Sequence, residues 1–151
     1  MKFLADSMLG KLAKWLRILG FDTAYYNSVS DKNLIEIAEE EERILITRDK
    51  QLSRCWVVSC LYIKSESIDE QLHQIVKYFN LDIKETLGKF CPLCNEVLKE
   101  VEKKEIKLLV PELVYSSYKN FWKCLKCNKI YWEGTHWENI KKKVKELKGE
   151  N

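Results

Sequence analysis

No apolar run in this chain approaches the ~20 residues that a membrane-spanning helix needs, so nothing in the sequence reads as a transmembrane segment. Asp6, Lys11, Lys14 and Arg17 interrupt the first turns of the chain. That excludes the continuous apolar stretch of a secretory signal, and the expected location is reducing and cytoplasmic. No P-loop, GxGxxG or GxSxG motif occurs. Histidine is scarce: His73 and His136 are the two in 151 residues, and neither has a paired nucleophile in sequence view. Nucleotide-binding and serine-hydrolase chemistries are therefore unsupported. Internal repeats and low-complexity segments are also absent, apart from one repeated cysteine motif.

That motif is the strongest signal present. Cys91-Pro92-Leu93-Cys94 and Cys124-Leu125-Lys126-Cys127 form two CxxC pairs separated by 29 residues. Two such pairs supply four thiolates, the donor set of a tetrahedral structural zinc site. Disulfides or redox pairs are the alternatives, and they suit an oxidising compartment or a thioredoxin-like context that the rest of the chain does not suggest. Phe90, Phe121, Trp122, Tyr131 and Trp132 flank the pairs and could pack around a small metal-centred core, and the long gap suggests an intervening hairpin, as in a zinc ribbon. Four protein ligands leave zinc no open position, so any chemistry must lie elsewhere. Cys55 and Cys60 read as small buried apolar residues.

The net charge of +3 conceals an asymmetry. Residues 1–87 carry 12 Lys/Arg against 14 Asp/Glu, and residues 88–151 carry 14 against 9. A weakly acidic part beside a basic, aromatic-rich part fits a metal-using site next to a polyanion-binding surface.

The pattern along residues 2–79 alternates strands with helices. Strands are expected at Lys2–Ala5, Asp22–Tyr26, Arg43–Thr47 and Trp56–Ile63, and Arg48–Arg54 reads as a short helix or turn. One helix is expected from Leu9 to a stop at Gly20, another after a cap at Ser30-Asp31, and a third over Ile68–Phe79. This alternation predicts an α/β fold with a mostly parallel sheet flanked by helices. Residues 1–80 form the expected first domain, 81–89 a linker, and 90–151 a small zinc ribbon. Within the ribbon, strand-like stretches are expected at Val97–Val101 and Ile106–Val110, and a basic helix over Trp137–Lys148.

Ligands of open parallel sheets bind at the carboxyl ends of strands. Asp6, Asp31 and Asp49 fall at or just beyond such ends. Carboxylates are hard oxygen ligands that suit Mg²⁺ or Mn²⁺ acting with substrate phosphates. Asp31 and Asp49 also sit where a helix cap is wanted.

Phe3-Leu4-Ala5-Asp6-Ser7-Met8-Leu9-Gly10-Lys11-Leu12-Ala13-Lys14-Trp15-Leu16-Arg17-Ile18-Leu19-Gly20 resembles the opening of the Mut-seven C-terminal RNase domain family. Asp31, Leu45-Ile46-Thr47-Arg48-Asp49, Glu70-Gln71-Leu72, both CxxC pairs, Val110-Pro111 and Ile130-Tyr131-Trp132-Glu133-Gly134-Thr135-His136-Trp137 extend the resemblance, in order, over nearly the whole chain. It implies a PIN-like nuclease domain followed by a zinc ribbon, and a ribonuclease that uses a divalent metal. Carried across, Asp6, Asp49 and Asp31 are the implied catalytic and Mg²⁺ or Mn²⁺ ligands. A fuller PIN site often has a fourth acidic residue; Lys64 stands near that place, and Glu36, Glu66 and Asp69 are the substitutes.

RNA is the expected partner. Arg48 and Arg54 could contact phosphate or form surface salt bridges. Lys11, with Lys14 and Arg17, could extend a phosphate track or simply be a solvated helix face. Trp132 and Trp137 are expected to pack, and His136 could contact RNA. The alternative to an enzyme is a non-catalytic RNA-binding or interaction module whose aspartates are helix caps.

Overall fold

The computed structural model describes residues 1–149; the last two positions of the expected second domain lie outside it. The chain divides into two compact units, Met1–Asn95 and Glu96–Asn151.

The first unit is built on a four-stranded parallel sheet, β1 (Lys2–Ala5), β2 (Asp22–Tyr25), β3 (Ile44–Thr47) and β4 (Cys60–Tyr62), in the order β2-β1-β3-β4. Helices α1 (Gly10–Ile18) and α2 (Asp31–Glu40) make the β1–β2 and β2–β3 crossovers that parallel strands require, a 3-10 turn over Leu52–Arg54 lies between β3 and β4, and α3 (Ile68–Phe79) follows β4. β1 lies inside the sheet, and Phe3, Leu4 and Ala5 are fully buried. A strand covered on both faces must be apolar at consecutive positions, which is why no in–out alternation appears here. Leu4, Ala24, Leu34, Ala38, Leu45 and Leu52 form one core cluster, while Phe3 meets Phe21 and Phe79 edge-on. Each large side chain so buried contributes about 1.5–3 kcal/mol.

Arg43 ties the amino ends of the strands together. Its guanidinium donates to the Phe3 carbonyl and pairs with Asp22 at 2.7 Å. Burial alone would raise the Asp22 pKa. Hydrogen bonds from Arg43 and Asn95, with the charges of Arg43 and Lys2, outweigh it and hold this carboxyl below its ordinary value. Cys60 is half-buried, and desolvation pushes its thiol up to about 11, so it is a poor nucleophile.

The segment 81–95 folds back onto α1 and β2, which is why the compact division falls after Asn95. Ile83 is fully buried. The Thr86 hydroxyl donates to the Leu19 carbonyl and the Gly88 N–H to that of Ile18, satisfying carbonyls that the end of α1 leaves unpaired. Gly20, at φ +96, closes α1, with the Phe21 N–H returning to the Leu16 carbonyl in a Schellman-type turn.

The second unit holds a three-stranded antiparallel sheet, β5 (Lys99–Val101), β6 (Phe121–Lys123) and β7 (Ile130–Trp132), followed by α5 (Thr135–Leu147). Ile106, Phe121 and Ile130 are its core, with Trp132 packed against them. The stretch Ile106–Val110 is not a strand. Glu102 and Glu105 form a reciprocal capping box that starts a 3-10 turn over Lys103–Ile106. Ile106 alone is buried there, and Leu108 is 94% exposed. Pro111 then precedes α4 (Glu112–Ser117), where its fixed φ and missing N–H suit a helix start. The fourth strand is also shorter than the expected Trp56–Ile63: Trp56 is 90% exposed, and the bonding to β3 begins only at the Ser59 carbonyl, which accepts the Leu45 N–H at 2.9 Å.

A Cβ at Gly20 would collide with the Thr86 carbonyl and force a side chain to positive φ. Gly20→Ala should therefore destabilise the protein by at least about 2 kcal/mol, read as a lower urea midpoint; a loss below about 0.5 kcal/mol would contradict this packing.

Candidate active site and metal centre

From β1 the chain passes to β2 on one side and then to β3 on the other, so the sheet reverses its winding between β1 and β3. The crevice beyond the carboxyl ends of strands at such a switch point is where open α/β sheets bind ligands. Asp6 and Asp49 flank it, following β1 and β3.

Asp6 is 5% exposed and tightly held. Its Oδ1 accepts from the Met8 N–H at 3.0 Å, and its Oδ2 accepts from the Arg48 N–H at 3.1 Å and from the Thr47 hydroxyl. Thr47, the last residue of β3, is fully buried, and its oxygen also accepts the Asp49 N–H at 2.9 Å. One hydroxyl thus links the two aspartates. Asp49 is exposed, and its Oδ1 accepts from the N–H groups of Gln51 and Leu52 at 2.8 and 3.3 Å.

An ionised carboxylate has about four lone-pair sites. Those bonds leave Asp6 roughly one site, on Oδ1, and leave Oδ2 of Asp49 open. Such a pair fits Mg²⁺ or Mn²⁺, which bind through one or two carboxylates and lean on substrate phosphates. Asp31 stands apart as the first residue of α2. It is exposed, and Ser30 rather than Asp31 caps the helix, its hydroxyl accepting from the Asn33 N–H at 3.2 Å. Among the described residues, the three aspartates do not gather into a cluster of metal ligands.

The remaining candidates are spread out. The Arg48 guanidinium donates to the Ile63 carbonyl at 3.2 Å and pairs with Glu66 at 3.7 Å. It therefore brings Glu66, one of the substitute acids, to the carboxyl end of β4. Arg54 is exposed at the end of a 3-10 turn, Lys11 is exposed in the first turn of α1, and His136 is exposed in the first turn of α5. Sequence reasoning missed Thr47; the one available signal was a polar residue ending an otherwise apolar strand.

The Sγ atoms of Cys91, Cys94, Cys124 and Cys127 all lie within 4.8 Å of one another. Tetrahedral zinc at ~2.3 Å from each sulfur would set them about 3.8 Å apart, so only a small closure is needed. Both turns have one design. The Asn95 N–H donates to the Cys91 carbonyl at 2.9 Å and the Asn128 N–H to that of Cys124 at 2.8 Å. Both asparagines have positive φ, +63 and +64, a conformation asparagine tolerates better than other non-glycine residues.

The first turn is also anchored from behind. The Asn95 side chain accepts the Thr23 N–H at 2.9 Å and donates to Asp22 at 2.6 Å. Buried Arg17 spans the carbonyls of Thr23 and Pro92, each at 2.8 Å. Desolvation draws the Arg17 pKa below its ordinary value, and the nearby Cys91, Cys94 and Asp22 oppose that. Freshly purified, reduced protein should contain one zinc per chain by atomic emission, and Cys91→Ser should lose it. Metal-free wild-type protein would refute the site.

A family model described as Mut7-C RNAse domain matches residues 1–144. Neither a curated protein nor a solved structure gives a significant match. The chain, with a parallel α/β unit, a small antiparallel sheet and a four-cysteine cluster of the zinc-ribbon kind, belongs to the Mut7-C RNAse domain family.

Proposed function

We propose that this protein is a divalent-metal-dependent ribonuclease of the PIN-like type, acting in the cytoplasm. Asp6 and Asp49 hold Mg²⁺ or Mn²⁺, and Asp31 supplies a further carboxylate. The observation carrying this reading is the Asp6–Thr47–Asp49 bridge at the β1/β3 switch point. A divalent ion bound there would offer Lewis acidity toward a phosphodiester and a lowered pKa for water.

The chain's own residues do the positioning. Thr47 fixes the Asp6 carboxylate, and the Met8 and Arg48 N–H groups donate to it. Asp49 presents an open oxygen at the exposed rim, suited to orient a water or a phosphate. The ribbon's zinc is structural, and His136 with the lysines of α5 contributes to gripping RNA.

A second reading is favoured by the capping bonds themselves. Asp6 caps the 3-10 turn Ser7–Leu9, and Asp49 caps the turn at Gln51 and Leu52. If that is all they do, the protein binds RNA without cutting it.

Asp49→Asn separates the two readings. The amide oxygen can keep the capping bonds while the open position loses its charge. Asp6→Asn is a poorer probe, because an NH₂ group would face the N–H of Arg48 or Met8. Purified Asp49→Asn should retain its zinc and melting temperature and cleave single-stranded RNA at least about 100-fold more slowly with Mg²⁺ or Mn²⁺. Cleavage at the wild-type rate would sink the assignment, and a wild-type protein that binds RNA but never cuts it would favour the second reading.

Thr47 offers an independent check. Thr47→Val should cost about 1–3 kcal/mol of stability by orphaning two partners and should weaken the metal dependence, raising the Mn²⁺ concentration for half-maximal cleavage. Thr47→Ser should restore both. Equal metal dependence in the Val and Ser variants would remove Thr47 from the site.

A further inference from the structure

A cleft of about 600 Å³ opens along α1, lined by Gly10, Lys11, Lys14, Arg17, Tyr25, Asn27 and Leu93. Three of these are cationic and none is acidic, on a stretch of chain (residues 1–87) whose net charge is −2. Lys11 and Lys14 are exposed, and neither pairs with a carboxylate among the described residues. Arg17 differs: its guanidinium is committed to the Thr23 and Pro92 carbonyls, so it shapes the wall and adds positive potential.

The place of the cleft is set by the fold. Tyr25 ends β2 opposite Ala5, the residue before Asp6. Its hydroxyl donates to the Ser7 carbonyl at 2.9 Å, and its ring lies over Gly10, where a Cβ would come within 3.0 Å of the tyrosine oxygen. The cleft therefore runs from the carboxyl end of β2 along α1 to Arg17, on the β2 side of β1 and away from β3 and Asp49. Its opposite wall is Leu93, 51% exposed between the two cysteines of the first CxxC turn.

We infer that this cleft receives the sugar–phosphate backbone of the RNA strand leading to Asp6, with Lys11 and Lys14 contacting phosphates. The inference rests on the ribonuclease reading for the identity of the ligand. Residues at i and i+3 of a helix stand about 5–6 Å apart at Cβ, a spacing comparable to that of successive phosphates along a single strand. The volume is far more than a lone phosphate fills. Tyr25 and Leu93 give the apolar surface that ribose and base faces need, which a site for a bare inorganic anion would not require. Because Leu93 belongs to the CxxC turn held by Arg17 and Asn95, the zinc-ligand segment forms one wall of the substrate path.

The test is fluorescence anisotropy with a short labelled single-stranded RNA, over a salt series and without added Mg²⁺ or Mn²⁺, so that binding is read apart from cleavage. Each lost phosphate contact on a single strand lowers the slope of log K against log[salt] by about 0.7. Lys11→Gln with Lys14→Gln should lower it by about 1.4. Lys77→Gln with Lys84→Gln, an equal charge change at exposed positions outside the cleft, should leave it unchanged. Leu93→Asp should weaken binding at every salt concentration while zinc content stays at one per chain.

An unchanged slope in the Lys11/Lys14 variant, or an equal loss in the Lys77/Lys84 control, overturns the cleft as the RNA path. Cleavage by the wild-type protein with such an outcome would leave the ribonuclease reading intact. The expected slope change without cleavage under any metal would leave the cleft standing and remove the ribonuclease.

Discussion

The Thr47 hydroxyl is the constraint on which the candidate site depends. It is fully buried and has one proton, so its direction is not free. The Asp49 N–H takes one of its lone pairs, and its proton goes to the Asp6 carboxylate, which can only accept. That choice fixes the rotamer of Asp6, sets the start of the 3-10 turn leading into α1, and anchors the turn after β3. Strand order then gives the bond its importance, since β1 and β3 are the neighbours between which the winding of the sheet reverses. A polar bridge anywhere else along these strands would lie within an apolar core.

Arg43 does the complementary work at the amino ends, gathering Phe3 and Asp22. The sheet is thus stitched at both ends by polar side chains, while its middle is held by the backbone ladder and apolar burial. The arrangement lets the middle of β1 be wholly apolar without losing register. A slip by one residue would move Asp6 into the core and strand both Thr47 and Arg43 without partners.

Much of this was legible beforehand, and for identifiable reasons. Helix α3 has the predicted bounds Ile68–Phe79, because its apolar face keeps a helical period. The parallel sheet followed from short branched runs alternating with helices. Ile106–Val110 misled because a short apolar run has no period of its own, and the deciding residues were the glutamates before it. Residues 81–89 read as a linker because their contacts are made by Thr86 and Gly88, whose roles depend on carbonyls and N–H groups that no side-chain pattern reveals. Asn95 did leave a trace: Asn follows both CxxC pairs, in Cys94-Asn95 and Cys127-Asn128. At the acidic site the aspartates were visible, but their division of labour was not, since burial separates Asp6 from Asp31 and Asp49 and burial is a property of the fold.

The opposition between cap and ligand weakens once acceptor sites are counted. A carboxylate that caps a turn spends some lone pairs and keeps others. For Asp6 the bonds from Met8, Thr47 and Arg48 occupy most of its capacity, and what remains points in one direction. This is a disadvantage for a group meant to wrap a cation alone and an advantage for one meant to share it with a phosphate. A pre-oriented single oxygen costs little further ordering when substrate arrives, whereas a free carboxylate must surrender rotamer entropy at that moment. Asp49, exposed at the rim, keeps its Oδ2 open, while Asp31 stands apart at the start of α2. On this view the caps are the means by which a short loop after a parallel strand holds a charged group still enough to serve chemistry.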